Sequence, residues 1–401
     1  MKLLISAGEA SSDLYGAQLI EALRRHDPSL EFMGVGGEHM RAAGCEIVVE
    51  AKHLAVVGMT EILSRLPRIY AEFRKLLRAV DATRPQLAVV IDSPAFNFRV
   101  ARQLHRRGVP VIYFVAPQVW AWREYRVKRV QRWIKKVLCI FPFEVEFYRR
   151  YGVDVEYVGH PLADLPLPSI SRQQFAALNG LDAANTWVAL LPGSRVQEFK
   201  QHLPTLVEVA AKLRQTCEPL EFLLPVASAL DRGFVAQQLT AALAKASPKI
   251  KPTIGLTADA RTTLLHSRAA VIASGTATVE AALTATPFVA VYRLSGLTYR
   301  LARKLVKVPY AAMPNLIAGE QVVPEFLQQD FTADKVCSYL STILADGPAR
   351  AKMLKGLEKV RAALHHKAAH QQPAIERAAA AIMATLGPGQ VAPKVVQQHL
   401  L

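Results

Sequence analysis

WVALLPGSRVQEFKQ, residues 187–201, contains the pattern that decides the fold. Its apolar run at 188–191 has the length of one buried strand and stops at Pro192, where a turn of glycine, serine and arginine follows. Similar runs, separated by helical patterns, occur at 2–6, 87–91, 111–115, 137–140, 221–226, 270–274 and 288–292. Such runs between helices are typical of parallel strands covered on both faces. The sequence therefore predicts an α/β fold that occurs twice along the chain.

The length of the chain indicates two domains. A chain of 401 residues is too long for one ordinary core, and its hydrophobic fraction of 51% supplies apolar material for two. Between residues 160 and 175, Pro161, Pro166 and Pro168 interrupt the hydrophobic period, so this stretch is predicted to be the linker. We expect a first domain of residues 1–165 and a second of residues 166–365, with a C-terminal helix at about 366–386 that joins the first.

Two predicted strand ends in the second half are suited to an anion. In LPGSR, Gly193 permits close backbone approach, Ser194 offers a hydroxyl and an N–H, and Arg195 can bind phosphate through two hydrogen bonds. In AVIASGTATVEAAL, residues 270–283, a strand runs straight into a helix, whose start favours negative charge. The pattern GxxxxGK[ST] does not occur in the sequence, so a P-loop is not indicated.

Each loop also has a purely structural interpretation. LPGSR could be a β-turn with an arginine in solvent, and SGTAT could be a simple N-cap made by Ser or Thr. Glu280 lies one turn into the second predicted helix, where it suits ribose hydroxyls better than phosphate. Both loops in one half of an α/β chain suggest that this half binds a nucleotide-diphosphate sugar.

Several motifs, in one order, resemble the lipid-A-disaccharide synthase family. They are GEASSD (8–13), GMTEIL (58–63), PQVWAWR (117–123), FPFEVEFY (141–148), YVGHPLAD (157–164), LPGSR (191–195), SGTATVEAAL (274–283) and MPNLIAGE (313–320). The likeness covers about residues 1–385. It implies an inverting glycosyltransferase of GT-B architecture, with two Rossmann-like domains facing a central cleft. The implied reaction transfers 2,3-diacylglucosamine from its UDP conjugate to the 6-hydroxyl of 2,3-diacylglucosamine 1-phosphate, which gives a β-1,6-linked disaccharide 1-phosphate and UDP.

The resemblance also implies which residues line each side of the cleft. Those expected to bind UDP are Gly193, Ser194, Arg195, Glu198, Ser274, Gly275, Thr276, Ala277, Thr278, Glu280 and Asn315. Those expected on the acceptor and acyl-chain side are Ser11, Asp13, Glu61, Asn97, Gln118 and Trp120. Trp120 could instead fill the core.

The general base is where this sequence departs from the family pattern. The family usually has DxPDFN after the strand at 87–91, and the second Asp is a favoured base, but this chain reads IDSPAFN with Ala95 at that position. Asp92 is then the first candidate and Glu9 the second, and His160 is also retained. GEASSD departs as well, because the family commonly has Gly where Ser12 stands.

We expect neither a metal nor another cofactor. The sequence contains no Asp-x-Asp pair, which is the common metal clamp of sugar-nucleotide enzymes. Arg195 and the helix start at SGTAT could neutralise the diphosphate instead.

The net charge of +16 indicates contact with a polyanion. Residues 64–80 form a basic amphipathic pattern that could lie in an anionic interface or pack as an ordinary helix, and residues 99–136 hold eleven Lys or Arg. Because the implied substrates are acylated, we expect a cytoplasmic protein at the anionic inner-membrane surface. Four widely spaced cysteines fit that reducing compartment. The family resemblance also allows a homodimer.

Two other classes of function stay open. The nearer one is another GT-B enzyme of UDP-sugars, such as the peptidoglycan GlcNAc transferase or a UDP-GlcNAc 2-epimerase. The other is a basic nucleic-acid-binding protein, because Trp and Arg interleave in VWAWREYRVKRVQRW, residues 119–133. The sequence shows no known nucleic-acid-binding motif, so we expect no nucleic-acid partner.

Overall fold

The computed structural model describes residues 1–54, 59–122, 124–216, 219–246, 252–294, 299, 306, 308–365 and 372–387. Within these ranges there are two parallel sheets, one in each half of the chain. The first contains β1 (Lys2–Ala7), β2 (Glu31–Gly36), β3 (Glu46–Glu50), β4 (Leu87–Ile91), β5 (Val111–Phe114), β6 (Lys136–Cys139) and β7 (Val155–Tyr157). The second contains β8 (Thr186–Leu191), β9 (Leu220–Pro225), β10 (Ile254–Thr257), β11 (Ala269–Ala273), β12 (Phe288–Tyr292) and β13 (Glu325–Leu327).

Helices alternate with these strands. In the first half they are α1 (Ala10–His26), α2 (Glu38–Ala42), α3 (Met59–Thr83), α4 (Pro94–Arg106), α5 (Val119–Trp122), α6 (Val127–Trp133), α7 (Pro142–Arg150) and α8 (Pro161–Asp164). After them come α9 (Arg172–Asn179), α10 (Val196–Thr216), α11 (Arg232–Lys245), α12 (Ala260–His266), α13 (Thr276–Leu283), α14 (Met313–Ala318), α15 (Ala333–Leu344), α16 (Pro348–Leu364) and α17 (Ala374–Leu386).

The central strands are buried on both faces, as their apolar runs predict. All five residues of β4 are inaccessible, and its alternate residues belong to two different core clusters, with Val89 in one and Val90 in the other. Every strand pair in both sheets is parallel. This confirms the predicted α/β fold with two parallel sheets.

The strand order reverses once in each sheet. It is β3-β2-β1-β4-β5-β6-β7 in the first and β10-β9-β8-β11-β12-β13 in the second. Ligands of such sheets bind beyond the carboxyl ends of the two strands at the reversal. The relevant strands are β1 and β4 in one sheet and β8 and β11 in the other, so the loops that follow these four strands should form the site.

The last described helix packs on the first half of the chain. Helix α17 contacts α1, where Glu376 pairs with Arg25. The Arg377 Nε donates a 2.7 Å hydrogen bond to the Val158 carbonyl. Nearby, the Tyr157 hydroxyl donates to the Ala363 carbonyl at 3.0 Å, so the end of β7 lies beside the end of α16.

The basic segment 64–80 belongs to α3 and packs, over its last turns, as an ordinary helix. Leu76 and Val80 are buried in the core, and the Phe73 ring meets the Phe96 ring edge-on at 6.0 Å. Exposed residues on the opposite face are Arg68, Tyr70, Arg74, Lys75 and Arg78. The side chains of residues 59–66, which include the predicted site residue Glu61, lie outside the described part of the structure.

Candidate functional site

The loops at the two strand-order reversals approach each other at Arg195 and Glu9. Arg195, in the turn after β8, places its Nη2 3.8 Å from the Glu9 Oε1, and Glu9 is the residue before α1. Its Nη1 lies 3.2 Å from Glu198 Oε1, which also accepts a 3.0 Å hydrogen bond from the Tyr292 hydroxyl. The Arg195 side chain is 69% exposed, so it can exchange a carboxylate partner for a bound anion.

The turn after β8 requires glycine. Gly193 has φ 114, and a Cβ there would lie 2.9 Å from the Glu198 Oε2. Ser194 and Arg195 are exposed beyond it, and α10 begins at the next residue. The first N–H groups of a helix have no partner within the helix, so this turn presents both a guanidinium and free backbone donors.

The turn after β11 is held by its own hydroxyls. The Ser274 Oγ donates to the Ala311 carbonyl at 2.7 Å, and the Thr278 Oγ1 donates to the Gly275 carbonyl at 2.7 Å. Gly275 and Thr276 are exposed, whereas Thr278 is buried. The backbone at the start of α13, together with Thr276 and Ala277, is therefore available to an anion, while Ser274 and Thr278 maintain the shape of the turn.

Glu280 lies one turn into α13. Burial, followed by the negative charge of Asp259, raises the pKa of Glu280 to about 7, and Arg261 opposes this effect. A carboxyl group in this state can donate or accept a hydrogen bond near neutral pH, which suits sugar hydroxyls better than phosphate.

Beyond β4 and β5 the backbone takes an unusual conformation. Asp92 and Ser93 have φ values of 47 and 45, and the β-branched Val115 has φ 58. The Asp92 carbonyl accepts hydrogen bonds from the Tyr113 hydroxyl at 2.6 Å and the Asn97 Nδ2 at 2.7 Å. Left-handed non-glycine residues persist where the surroundings hold them, and they are common at active sites.

The environment of Asp92 suits a general base. Burial, followed by the negative charge of Glu9, raises the pKa of Asp92 to about 6, whereas the Ser93 N–H and the charge of Arg195 lower it. The carboxyl group is therefore mostly ionised at neutral pH and still basic enough to accept a proton.

Three predicted contact residues are instead buried and hold loops in place. Asp13 accepts hydrogen bonds from the Gly37 and His39 N–H groups at 2.6 and 3.0 Å at the start of α2. Asn97 is inaccessible and bonds to the Ser6 hydroxyl and the carbonyls that end β4. Asn315 is inaccessible, and its amide bonds to the Val322 and Val323 backbone and to Glu325. The polar groups of all three are therefore bonded within the protein.

His160 and Trp120 are also interior residues. The His160 Nδ1 accepts the Leu162 N–H at 3.1 Å, so the remaining ring nitrogen of the neutral imidazole carries the proton. Burial lowers the pKa of His160 to about 3, and the geometry leaves it no free lone pair with which to act as a base. The Trp120 Nε1 donates to Glu144 at 3.0 Å, and its ring packs edge-on against Phe143 at 4.8 Å. Trp120 thus fills the core of the first half.

The other predicted residues of the acceptor side face outward. Ser11, in the first turn of α1, and Gln118, in the segment after β5, are both exposed. Ser12 is buried, so the side chain that replaces the usual family glycine is accommodated inside the first half.

Sequence patterns missed Tyr15, His202 and Tyr292. Burial, with smaller contributions from the negative charges of Glu280 and Asp92, raises the pKa of Tyr15. The sequence offers one indication that His202 is buried: it lies close to the apolar residues Phe199 and Leu203 in α10. Tyr15 and Tyr292 gave no signal, because an aromatic residue in a helix or strand normally indicates core.

The described ranges offer neither a cluster of metal ligands nor a membrane-spanning helix. In these residues no group of three or more His, Cys, Asp or Glu side chains could hold a metal ion. No helix in the same part of the chain is both long and apolar enough to cross a bilayer.

Solved structures share the fold. The UDP-GlcNAc 2-epimerase from Neisseria meningitidis bound to UDP-GlcNAc superposes with a TM-score of 0.63 at 11% identity and covers 96% of this chain and 99% of its own. CalG4, the calicheamicin glycosyltransferase, gives a TM-score of 0.56 at 15% identity, with 98% and 99% covered. At such identities the likeness shows the fold alone, and it confirms the predicted GT-B architecture with two Rossmann-like units.

Sequence similarity is more specific. A family profile described as lipid-A-disaccharide synthetase matches residues 3–380. The lipid-A-disaccharide synthase of Koribacter versatilis (strain Ellin345) is 52% identical over 384 residues, which cover 96% of this chain and 98% of that protein. These matches favour the main interpretation over the epimerase and nucleic-acid alternatives, and they show that this chain belongs to the lipid-A-disaccharide synthase family.

Proposed function

We propose that this chain transfers 2,3-diacylglucosamine from its UDP conjugate to 2,3-diacylglucosamine 1-phosphate, with release of UDP and inversion at C1 of the donor sugar. One observation carries the proposal beyond family membership. The guanidinium of Arg195, in the second half, lies 3.8 Å from the carboxylate of Glu9, in the first half. A diphosphate bound at Arg195 would therefore have its sugar next to the carboxylates of the opposite half, where a second substrate can be deprotonated.

On the donor side, Arg195 and the N–H groups at the start of α13 would bind the diphosphate. Negative charge develops on this group as UDP leaves, so donors fixed there lower the barrier. The exposed turn residues Ser194 and Thr276 would add hydroxyls, and Glu280 would contact ribose.

On the acceptor side, Asp92 is the proposed base. Its carboxylate takes the proton of the acceptor 6-hydroxyl as that oxygen forms a bond to C1 of the donor sugar. The bond from C1 to the diphosphate oxygen breaks, and UDP leaves with the electron pair. The pKa of about 6 and the absence of a carboxylate at Ala95 support Asp92, and Glu9 remains the second candidate.

A mass-resolved assay with pure substrates tests this function. We expect UDP and a tetraacylated disaccharide phosphate from the diacylated donor and acceptor, and no product from UDP-GlcNAc. Turnover of only the unacylated donor, or its epimerisation, would refute the synthase. Salt-sensitive retention on DNA without UDP binding would instead support the nucleic-acid alternative.

We further propose that the first half, residues 1–165 with α17, holds the acceptor and acyl chains, and that residues 166–365 hold UDP. The protein would work in the cytoplasm, at the anionic face of the inner membrane. The exposed basic face of α3 supports this, because Arg68, Arg74 and Lys75 lie on one side of a helix whose other side is packed into the core. A homodimer stays a prediction, which light scattering on the purified protein can check.

Vesicle sedimentation should reveal the membrane contact. We expect binding to phosphatidylglycerol vesicles that falls with salt, and little binding to phosphatidylcholine. Each basic residue near an anionic surface contributes about 1 kcal/mol, so changing Arg68, Arg74 and Lys75 to Gln should weaken binding about 100-fold. A matched control changes three exposed lysines of the other half, Lys212, Lys335 and Lys359. Equal binding by both triple variants would contradict a role for α3.

A further inference from the structure

His202 joins the Arg195 turn to the end of β12. It lies in α10, two turns after Arg195, and is completely buried. Its Nδ1 is 2.7 Å from the Pro192 carbonyl, in the turn after β8. Its Nε2 is 3.0 Å from the Arg293 N–H, just after β12, and 3.2 Å from the Arg293 carbonyl. One side chain thus contacts the backbone at the ends of two strands.

One neutral tautomer satisfies the contacts to the Pro192 carbonyl and to the Arg293 N–H. With the proton on Nδ1, that nitrogen donates to the Pro192 carbonyl, and Nε2 accepts from the Arg293 N–H. The ring packs between Tyr292, with centroids 5.3 Å apart, and Phe331, at 5.8 Å. Its orientation is therefore fixed by two hydrogen bonds and two aromatic neighbours.

The bond to Pro192 bears directly on the site. Pro192 has no N–H, so its carbonyl is the one backbone group through which this residue can be hydrogen-bonded. Gly193, Ser194 and Arg195 follow immediately, and Gly193 has the freest backbone of any residue type. Without an anchor before the glycine, the turn could take several conformations.

The same face of α10 holds the turn at a second point. Glu198, one turn before His202, contacts Arg195 at 3.2 Å and Tyr292 at 3.0 Å. Glu198 contacts the guanidinium, while the His202 bond holds the backbone from which Arg195 extends.

We propose that His202 is a positioning residue for the diphosphate turn. By fixing the Pro192 carbonyl, it keeps residues 193–195 in the conformation that binds the donor. This inference rests on the proposed function, because it assumes that the turn binds the diphosphate of a UDP-sugar.

Two substitutions separate the two hydrogen bonds. Asparagine places its amide nitrogen near the position of Nδ1, so His202→Asn can keep the donor to Pro192 and loses the acceptor for Arg293. Glutamine reaches the position of Nε2, so His202→Gln can accept from Arg293 and loses the donor to Pro192. We expect His202→Gln to raise the UDP dissociation constant and the donor KM about 10-fold, and His202→Asn to raise them clearly less. The acceptor KM should change in neither variant.

Folding and donor binding are measured together. Thermal unfolding of both variants shows whether the fold is kept, and His105→Gln, at an exposed position in α4, controls for the substitution itself. The inference fails if folded His202→Gln has the UDP dissociation constant of the wild type. It also fails if the UDP dissociation constant rises in both variants in proportion to their loss of thermal stability, whichever hydrogen bond each variant has lost. Failure of the wild type to bind UDP would instead refute the proposed function.

Discussion

Asp92→Asn is expected to lower kcat by about 10²–10⁴-fold, which is the usual contribution of a positioned general base. Asparagine keeps the size and the hydrogen-bonding capacity of the side chain but cannot accept the proton of the acceptor hydroxyl. UDP binding should be retained, because Asp92 lies in the first half, across the cleft from the proposed diphosphate turn. Steady-state kinetics with both substrates, combined with calorimetric titration of UDP, measure the two quantities separately.

The pH profile provides a second test of Asp92. The carboxylate is the active form and the pKa is about 6, so the rate should fall below pH 6 in proportion to one proton. Because the negative charge of Glu9 contributes to the raised pKa of Asp92, Glu9→Gln should move this limb to lower pH. Asp154→Asn serves as the matched control. Asp154 is exposed and lies just before β7, at the amino-terminal end of the strands, whereas Asp92 follows the carboxyl end of β4. Activity that survives in Asp92→Asn would make Glu9 the better candidate for the base.

Arg195→Ala is expected to lower kcat/KM for the donor by about 10²–10³-fold. The guanidinium can form two charge-assisted bonds to the departing diphosphate, and alanine provides neither bond nor charge. Arg195→Lys should recover only part of the loss, because an ammonium group keeps the charge without the two-pronged geometry. Both variants should fold normally, since the side chain is 69% exposed.

The effects of Arg195→Ala on kcat and on UDP binding distinguish a role in the transition state from a role in binding alone. A role in the transition state predicts a fall in kcat as well as weaker UDP binding, because charge on the diphosphate grows as the C1 bond breaks. Arg232→Ala, at the exposed start of α11, is the control. Donor kinetics that match the wild type in Arg195→Ala would remove Arg195 from the proposed site.

The strands that apolar runs in the sequence predicted are those buried on both faces. LAVVI and FVAVY coincide residue for residue with β4 and β12. No apolar run predicted β2, whose two glycines indicate a turn, although a Cβ at Gly34 would lie 1.9 Å from the Ile5 carbonyl. The edge strand β13 has only three residues and starts with a glutamate, so it carries too little pattern to recognise.

The candidate site was only partly predictable, for a related reason. Motifs indicate which loops matter, and the topology brings those loops together, but the direction of each side chain depends on its neighbours. Asp13, Asn97 and Asn315 all occur in motifs, yet each satisfies backbone groups inside the protein. A short polar residue in a motif loop can either stabilise the conformation of the loop or contact a ligand, and sequence spacing does not distinguish these roles.

The docking of α17 onto α1 has a consequence for biosynthesis. Their contact between Arg25 and Glu376 joins positions 351 residues apart, so a ribosome adding about 5–20 residues per second needs about 20–70 s to complete it. Throughout that interval the surface of α1 that later contacts α17 has no covering helix. The nascent first half must therefore remain without α17 until nearly the whole polypeptide has been translated. We expect chaperones that bind exposed apolar surface to recognise it during this time.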